Sequence, residues 1–287
     1  MAEFDFIEYR LNFRKALNLP LSASNEMYPI LYSDWLYKVF ESGWQRLFGE
    51  DFPYSSIKIS SGFPFYKEDS HILAYLPDKQ DFVSVVRDAF SAGDLKFGLT
   101  SWRFYNRPRA QFNKLSGRRE KRYSTIELHF KENAGIWFGA RTSDKDVRSK
   151  LESVIKFVGE EGIGSGRSAG YGSFELAEIN EISVYKEADS VAVSMSRFMT
   201  QDELSTENLF AEIRPMNVAL RASAKDGKKL YPIFGEGTVL NFKENVNFTE
   251  FGKFIGDDAE NDKPGEKRAA FLFALPVPAK MYKLQSN

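Results

Sequence analysis

Five glycines fall within eleven positions of one segment, EEGIGSGRSAGYGSFEL, which spans residues 160–176. The segment before it, SDKDVRSKLESVIKFVGEEG, repeats apolar residues at helical spacing behind a capping pattern of Ser143 and Asp146. The segment after it, YGSFELAEINEISV, alternates apolar and polar residues as a strand does. The glycine loop is therefore predicted to connect a helix to the strand that follows it.

The first half of the chain supplies the other elements of such a fold. Alternation from Ile7 to Phe13 predicts a strand with one buried face, and SDWLYKVFESGWQRLFGE predicts an amphipathic helix between a Ser33 cap and Gly49. TIELHF and GIWFGAR predict a hairpin, and DFVSVVRDAF is interpreted as a further helix. Strand, helix, strands, helix, loop and strand is the β-α-β-β-α-β order of a ferredoxin-like or RNA-recognition-motif sheet.

The second half has a weaker pattern. DSVAVSMSRF, KKLYPIFGEGTVLNF and AAFLFALPVP are interpreted as strands, the second of them as a hairpin turning at Gly235 or Gly237 and packed as core. The polar residues 245–268 predict a long surface loop. With a break at YKEADS, we expect an α+β protein of two domains, residues 1–187 and 188–287.

Three interpretations of the glycine loop compete. GSGRSA has the G-x-G-x-x-A form of a dinucleotide fingerprint, but that motif needs a strand before it and a helix after it, the reverse of the order here. A Walker A loop is excluded because no G-K-[ST] closes the run. An ordinary turn with positive φ angles remains possible. We favour a phosphate-binding loop, because exposed N–H groups, the Arg167 fork and the hydroxyls of Ser165 and Ser168 suit an RNA backbone.

A basic stretch before the predicted hairpin points the same way. Residues 103–122 carry one acid, Glu120, and have a net charge of +7, whereas the whole chain has a net charge of -1. The eight basic residues are Arg103, Arg107, Arg109, Lys114, Arg118, Arg119, Lys121 and Arg122. Phe104, Tyr105 and Phe112 lie among them, a mixture that suits phosphate neutralisation and stacking on unpaired bases. The alternative is a solvated, mobile loop.

Composition narrows the remaining classes. The chain has no cysteine, which excludes disulfides and thiolate metal sites and fits a reducing cytoplasm. The segment MAEFDFIEYRLNF has no apolar signal-peptide core, and no stretch reaches membrane-spanning length. The acidic GDDAEND lacks EF-hand spacing. We therefore expect a cytoplasmic protein with no cofactor, no metal and no membrane partner.

These residues resemble the RAMP superfamily of CRISPR proteins, and GRSAGYGSFEL between a helix and a strand is the most telling part. Four further blocks, YRLNF, SDWLYKVF, ISSGFPFY and RPRAQFNKLSG, are similar in order to the type III-A (Csm) effector subunits that bind the crRNA 5′ tag. FGEGTVLNF is similar to the C-terminal half of the same subunits.

The resemblance implies two ferredoxin-like domains, a glycine-rich loop and a basic hairpin or thumb insertion. It also implies binding to the crRNA 5′ tag between a large polymerase-like subunit and a repeating RAMP backbone subunit. The glycine loop of the family falls on these RNA-binding candidates: Gly162, Gly164, Gly166, Arg167, Ser168, Ala169, Gly170, Tyr171 and Gly172. The basic residues of the 103–122 stretch are the remaining RNA-binding candidates.

The alternative within the same superfamily is an endoribonuclease that processes precursor crRNA with a histidine general base. Only His71 and His129 are available for that role. His129 lies on the polar phase of TIELHF, and His71 lies in a predicted loop without an obvious partner. We therefore expect an RNA-binding subunit without catalytic activity.

Overall fold

A computed structural model describes residues 3–19, 29–66, 73–76, 81–84, 102–112, 119–185, 190–198, 210–214, 219–222, 230–242, 252–255, 268–271 and 273–278. The helices are α1 (Ser33–Phe48) and α2 (Lys145–Glu161). The strands of the first part are β1 (Glu3–Phe13), β2 (Leu17–Leu19), β3 (Lys58–Ile59), β4 (Phe63–Tyr66), β5 (Leu73–Leu76), β6 (Asp81–Ser84), β7 (Trp102–Phe112), β8 (Arg119–Phe130), β9 (Ala134–Arg141) and β10 (Phe174–Tyr185). Those of the second part are β11 (Ser190–Ser194), β12 (Phe210–Arg214), β13 (Ala219–Ala222), β14 (Leu230–Ile233), β15 (Val239–Phe242), β16 (Gly252–Ile255), β17 (Arg268–Phe271) and β18 (Ala274–Pro278).

One antiparallel sheet organises the first part of the chain. Its strand order is β10-β1-β9-β3, and β4 also pairs with β9. Helix α1 follows β1 and β2 and precedes β3, and α2 lies between β9 and β10. The apolar sides of both helices join β1 and β9 in one core that includes Tyr9, Phe40, Trp44, Phe138 and Val154. The predicted α+β class is confirmed.

Strand β1 is buried on both faces, whereas the sequence predicted one buried face. Tyr9 and Leu11 face the helices, as their alternation requires. On the other phase Glu8 and Arg10 are also buried, and the Arg10 Nε donates to Glu8 Oε1 at 3.0 Å. Phe65 lies over the Arg10 guanidinium, 5.4 Å from ring centroid to Cζ. An internal ion pair therefore satisfies polar residues that alternation alone assigns to solvent.

Both helices are present, but their N-terminal caps differ from the predicted ones. Ser33 is the first residue of α1, and its Oγ accepts from the Arg197 N–H at 3.0 Å instead of capping the helix. For α2 the capping residue is Asp144, whose Oδ1 accepts from the N–H groups of Asp146 and Val147. The predicted end of α1 is confirmed, since Gly49 has φ +68° and its N–H donates to Gln45 O.

The predicted pairing of TIELHF with GIWFGAR is wrong. Both segments are strands, but β8 pairs with β7 and β2, and β9 pairs with β1, β3 and β4. The hairpin is instead made by the basic stretch itself, with β7 antiparallel to β8 from Trp102↔Phe130 to Phe112↔Arg119. Residues 81–84 form a strand where a helix was predicted, and the rest of DFVSVVRDAF lies outside the described residues.

A second sheet, in the order β12-β15-β11-β18, forms the described core of the second part. The predicted hairpin across FGEGTV is wrong, because β14 pairs with β13 and β15 pairs with β11 and β12. The segment does pack as core, with Phe234 and Leu240 buried. Residues 252–255 form strand β16 within the predicted surface loop, paired with β17. The division at residues 187 and 188 stays a prediction.

The two sheets contact each other through a few large and charged side chains. Phe273 packs edge-on against Phe6, with ring centroids 5.6 Å apart, and the Arg141 guanidinium lies 4.6 Å from the Phe273 ring centroid. Arg141 Nη2 donates to Ala274 O at 3.1 Å, and burial lowers the pKa of Arg141 to about 10. The Ser61 hydroxyl donates to Glu236, a fully buried carboxyl group of the second part. The contact between the sheets therefore includes a charge with little access to water.

We predict that Glu236→Gln raises the free energy of unfolding at pH 7.5 relative to the parent, and that the gain shrinks toward pH 4.5. Burial raises the pKa of Glu236, and Arg197 and the Ser61 hydroxyl offset this only in part. The pKa of this carboxyl is higher in the folded state than in the unfolded state. Its contribution to the free energy of unfolding is therefore present at acid pH and is lost as the pH rises through the folded-state pKa. Chemical denaturation at several pH values measures the gain. Exposed Glu132→Gln is the control, and parallel pH profiles for parent and Glu236→Gln would contradict the prediction.

Candidate nucleic-acid interface

The glycine loop, residues 162–172, lies against strand β2. Ser165 N–H donates to Asn18 O at 3.1 Å, and Gly172 N–H donates to Ala16 O at 2.8 Å. The loop also closes on itself, since Ile163 N–H donates to Gly172 O at 3.0 Å. On its other edge β2 pairs with β8, with Leu17 opposite Leu128. Strand β2 therefore joins the loop to the basic hairpin.

Three of the five glycines are required by the chain itself. A Cβ added at Gly172 would lie 1.9 Å from Ile163 O, and one at Gly162 would lie 2.4 Å from Tyr171 O. One at Gly164 would lie 2.6 Å from Asn18 O. Each of these glycines also has a positive φ, between +68° and +82°. What approaches the loop closely at these positions is therefore its own backbone and that of β2, not a ligand.

The two other glycines bracket the exposed tip of the loop. Gly166 and Gly170, with φ of +77° and +79°, flank a single 3-10 turn, Arg167–Ala169. Arg167, Ser168 and Ala169 are all exposed. Among the described residues, the N–H groups of Gly166, Arg167 and Ser168 have no backbone acceptor. The exposed turn therefore offers backbone donors for a phosphate, and the binding role of the loop stays a prediction.

We predict that Gly172→Ala lowers the free energy of unfolding by more than about 2 kcal/mol, since a left-handed φ costs a side chain roughly 1–2 kcal/mol and the Cβ also meets backbone. Gly166→Ala is the matched control, with a similar φ but its nearest neighbour, a Tyr171 ring carbon, at 3.1 Å. It should cost about 1–2 kcal/mol. Chemical denaturation measures both, and equal losses would contradict the assigned role of Gly172.

Strand β7 presents its three arginines on one face of the hairpin. Arg103, Tyr105, Arg107 and Arg109 alternate along β7, and all except Arg109, which is half-buried, are exposed. Opposite them on β8 are His129, Glu127, Thr125 and Tyr123, in that order. The other face of the same strands carries Phe104, Leu128 and Phe130, which pack on the core. The period of two therefore separates a core face from an arginine face.

Aromatic rings lie between these arginines. The Arg107 guanidinium lies 5.6 Å from the Tyr105 ring centroid, and the Tyr105 ring meets His129 edge-on at 5.0 Å. Tyr105 and Tyr123 are 39% and 46% exposed, two of four large hydrophobic residues with such exposure in the described part of the chain. Exposed rings next to guanidinium groups are the usual platform for unpaired bases.

The glycine loop and the hairpin meet at Glu127. Arg109 Nη2 donates to Glu127 Oε1 at 2.6 Å, and the Tyr171 hydroxyl donates to the same oxygen at 3.1 Å. Arg107 Nε donates to Glu127 Oε2 at 3.3 Å, and His129 Nε2 lies 3.2 Å from that oxygen. Burial raises the pKa of Glu127, but the hydrogen bonds from His129, Tyr171 and Arg107 outweigh it, so the pKa lies below its ordinary value. The carboxylate is therefore ionised at neutral pH.

Arg109 also contacts the glycine loop directly. Its Nη2 bonds to the Tyr171 hydroxyl, and its guanidinium lies 5.4 Å from the Tyr171 ring centroid. Asn18 of β2 is adjacent, buried beside Gly166 and opposite Glu127 in register, and its Oδ1 has no hydrogen-bond partner within the described part of the chain. Arg109 and Tyr171, 62 residues apart in sequence, thus form one surface.

The structure brings some of the predicted RNA-binding residues together and leaves others undescribed. Arg103, Arg107 and Arg109 share the hairpin face, and Tyr171 joins them from the glycine loop. Arg119, Lys121 and Arg122 lie on β8. Lys114, Arg118 and His71 lie outside the described residues. Glu127 was missed, although its place between Ile126 and Leu128 put it on the same polar phase as His129.

Comparison with solved structures identifies the fold. A chain of the Csm3-Csm4 subcomplex of the type III-A CRISPR-Cas interference complex matches with a TM-score of 0.61 and 13% identity, over 96% of this chain and 99% of that one. A chain of the Csm1-Csm4 cassette with cA4 gives 0.55 and 14%, over 96% and 98%. The same cassette with AMPPNP gives 0.54 and 14%, over 96% and 97%. The chain shares the fold of these Csm subunits. Csm4 is the component that all three structures have in common.

No protein-family model and no curated protein sequence matches the chain. Within the described residues, no group of three or more histidine or acidic side chains is arranged to hold a metal ion. Neither of the helices in that part of the chain has the length and hydropathy of a membrane span.

Proposed function

We propose that this chain is a non-catalytic RNA-binding subunit of a type III-A CRISPR effector complex, and that it holds the 5′ tag of the crRNA. The observation that carries the proposal is the convergence of the arginine face of the hairpin with the glycine loop at Tyr171 and Glu127. We further propose that both halves are ferredoxin-like domains, which the sheet order β10-β1-β9-β3 supports for the first half.

The physical case rests on the chemistry of this surface. Arg103 and Arg107 are exposed on the hairpin, and Arg167 is exposed on the loop tip. Guanidinium groups bind phosphate through paired donors, and the exposed rings of Tyr105 and Tyr123 accept unstacked bases. A duplex offers no unstacked bases, so the surface suits a single-stranded segment such as a tag.

The proposed partners follow from the fold. Its likeness extends over whole chains of structures in which Csm4 is crystallised with Csm3 or with Csm1. We propose that this chain likewise contacts a repeating backbone subunit and a large polymerase-like subunit.

A second candidate function is cleavage of precursor crRNA, because His129 lies 3.2 Å from the ionised Glu127. A histidine oriented by a carboxylate is a common general base. The same carboxylate also receives two arginines and a tyrosine, however, so the pair serves a binding surface equally well. Incubation with a repeat-containing RNA distinguishes the two functions: cleavage that is lost with His129→Ala supports the ribonuclease and contradicts our proposal.

The direct test is affinity purification of the full chain from its native cells at mild salt, with mass spectrometry of bound proteins and sequencing of bound RNA. We expect short RNAs that share one repeat-derived 5′ end, together with a large polymerase-like subunit. Recovery of a lone protein with cleaved repeat products would favour the ribonuclease, and recovery without RNA would refute the RNA-binding role.

We predict that Arg167→Ala weakens binding of that RNA and lowers the slope of log affinity against log salt by about 0.7, the value for one phosphate contact to a single strand. Arg46→Ala is the control, because Arg46 is a half-exposed arginine of α1 whose guanidinium pairs with Glu161 at the end of α2. Fluorescence anisotropy at several salt concentrations measures both. An unchanged slope for Arg167→Ala would remove Arg167 from the interface.

A further inference from the structure

Resting on the proposed function, we infer that Glu127 is a positioning residue of the RNA site, whose buried carboxylate holds two arginines of the hairpin and a tyrosine of the glycine loop around one phosphate of the RNA. An acidic residue in a segment that binds a polyanion would ordinarily oppose binding. The geometry points to the opposite effect here.

Both oxygens of the carboxylate are fully used. Oε1 accepts from Arg109 and Tyr171, and Oε2 accepts from Arg107 and faces His129 Nε2. The Glu127 side chain is only 4% exposed, whereas those of Arg107 and Arg109 are 55% and 36% exposed. The carboxylate thus lies beneath its partners, where RNA reaches the arginines but not the acid.

The donors that remain suit a phosphate. A guanidinium has five N–H donors in a rigid plane, and one on each arginine is directed to Glu127, which fixes the direction of the others. Without the carboxylate, two neighbouring guanidiniums would repel each other and move apart. Two arginines and one carboxylate have a net charge of +1, which neutralises the single negative charge of one phosphodiester.

The attachment of Tyr171 extends this role to the glycine loop. Its hydroxyl bonds to both Glu127 and Arg109, and the residue directly follows Gly170 at the exposed turn. Glu127 therefore orients the loop tip relative to the hairpin, and the two segments bind one strand of RNA as a unit.

The test compares two identical substitutions of acids. Glu127→Gln keeps the size of the side chain and removes its charge, and Glu160→Gln does the same to an exposed acid at the end of α2, beside the glycine loop. The probe is the single-stranded RNA with the repeat-derived 5′ end, and anisotropy is measured on the full chain. Positioning predicts about tenfold weaker binding for Glu127→Gln, the loss expected for one charge-assisted contact, and equal or tighter binding for Glu160→Gln. Tighter binding for Glu127→Gln, as charge alone requires, would overturn the inference.

A double-mutant cycle separates positioning from general loss of structure. If Glu127 acts through Arg109, Glu127→Gln has little further effect in an Arg109→Ala background. Full additivity would overturn the inference. If Glu127→Gln does not fold, Tyr171→Phe tests the same connection without changing any charge, and we expect about fivefold weaker binding. Parental affinity for Tyr171→Phe would count against the inference.

The measurements distinguish a failure of the proposed RNA-binding function from a failure of the role given to Glu127. Weaker binding by Arg167→Ala together with unchanged binding by Glu127→Gln and Tyr171→Phe leaves the RNA-binding function standing and removes the role of Glu127. No binding of the RNA by the parental chain removes the proposed function itself.

Discussion

The structure depends on the burial of β1 on both of its faces. This strand pairs with β9 on one edge and β10 on the other, and its apolar side chains share one core with both helices. Its apolar phase meets the helices, and its polar phase carries the Glu8–Arg10 pair and, at Phe6, the contact with Phe273 of the second part. A buried pair of this kind costs desolvation on both sides and is tolerated because each charge satisfies the other. Phe6 on this second face contacts the second part of the chain together with Arg141 of β9 and Ser61.

Strand β2 connects this sheet to the candidate RNA site. This three-residue strand continues the chain beyond β1 and lies between β8 and the glycine loop, so it sets the distance between the two segments that carry the proposed RNA contacts. Backbone hydrogen bonds fix the loop to β2, and side-chain bonds at Glu127 then connect the loop to the hairpin. Rigid main-chain packing places the loop, and a charged cluster orients its tip.

The local sequence pattern predicted individual helices and strands, but it did not predict which strands pair with each other. Helices α1 and α2 and strand β1 were predicted because apolar residues recur within each of them at the helical or strand period. The pairing of β8 was not, because apolar alternation in TIELHF is the same whether the neighbouring strand is β7 or β9. The family resemblance predicted a hairpin or thumb insertion for the basic stretch, and the stretch is a hairpin. Its own pattern did not predict the two strands, because few residues in it are apolar. Glu127 could not be recognised as a shared acceptor, since its four partners come from three separate segments and meet only in the folded chain.

The contacts that hold the glycine loop to β2 are mainly hydrogen bonds between backbone atoms. Ser165 and Gly172 donate to the carbonyls of Asn18 and Ala16, and any residue at positions 16 and 18 offers the same carbonyl. The steric constraint therefore falls on the glycines of the loop, whose positive φ angles and close backbone neighbours exclude a Cβ, and not on the side chains of residues 16 and 18. This arrangement places little demand on the side chains of the neighbouring sequence, and the chain shares the fold of the Csm subunits at only 13–14% identity. The spacing of the glycines therefore encodes a close contact between two stretches of backbone that the side chains of the second stretch do not encode.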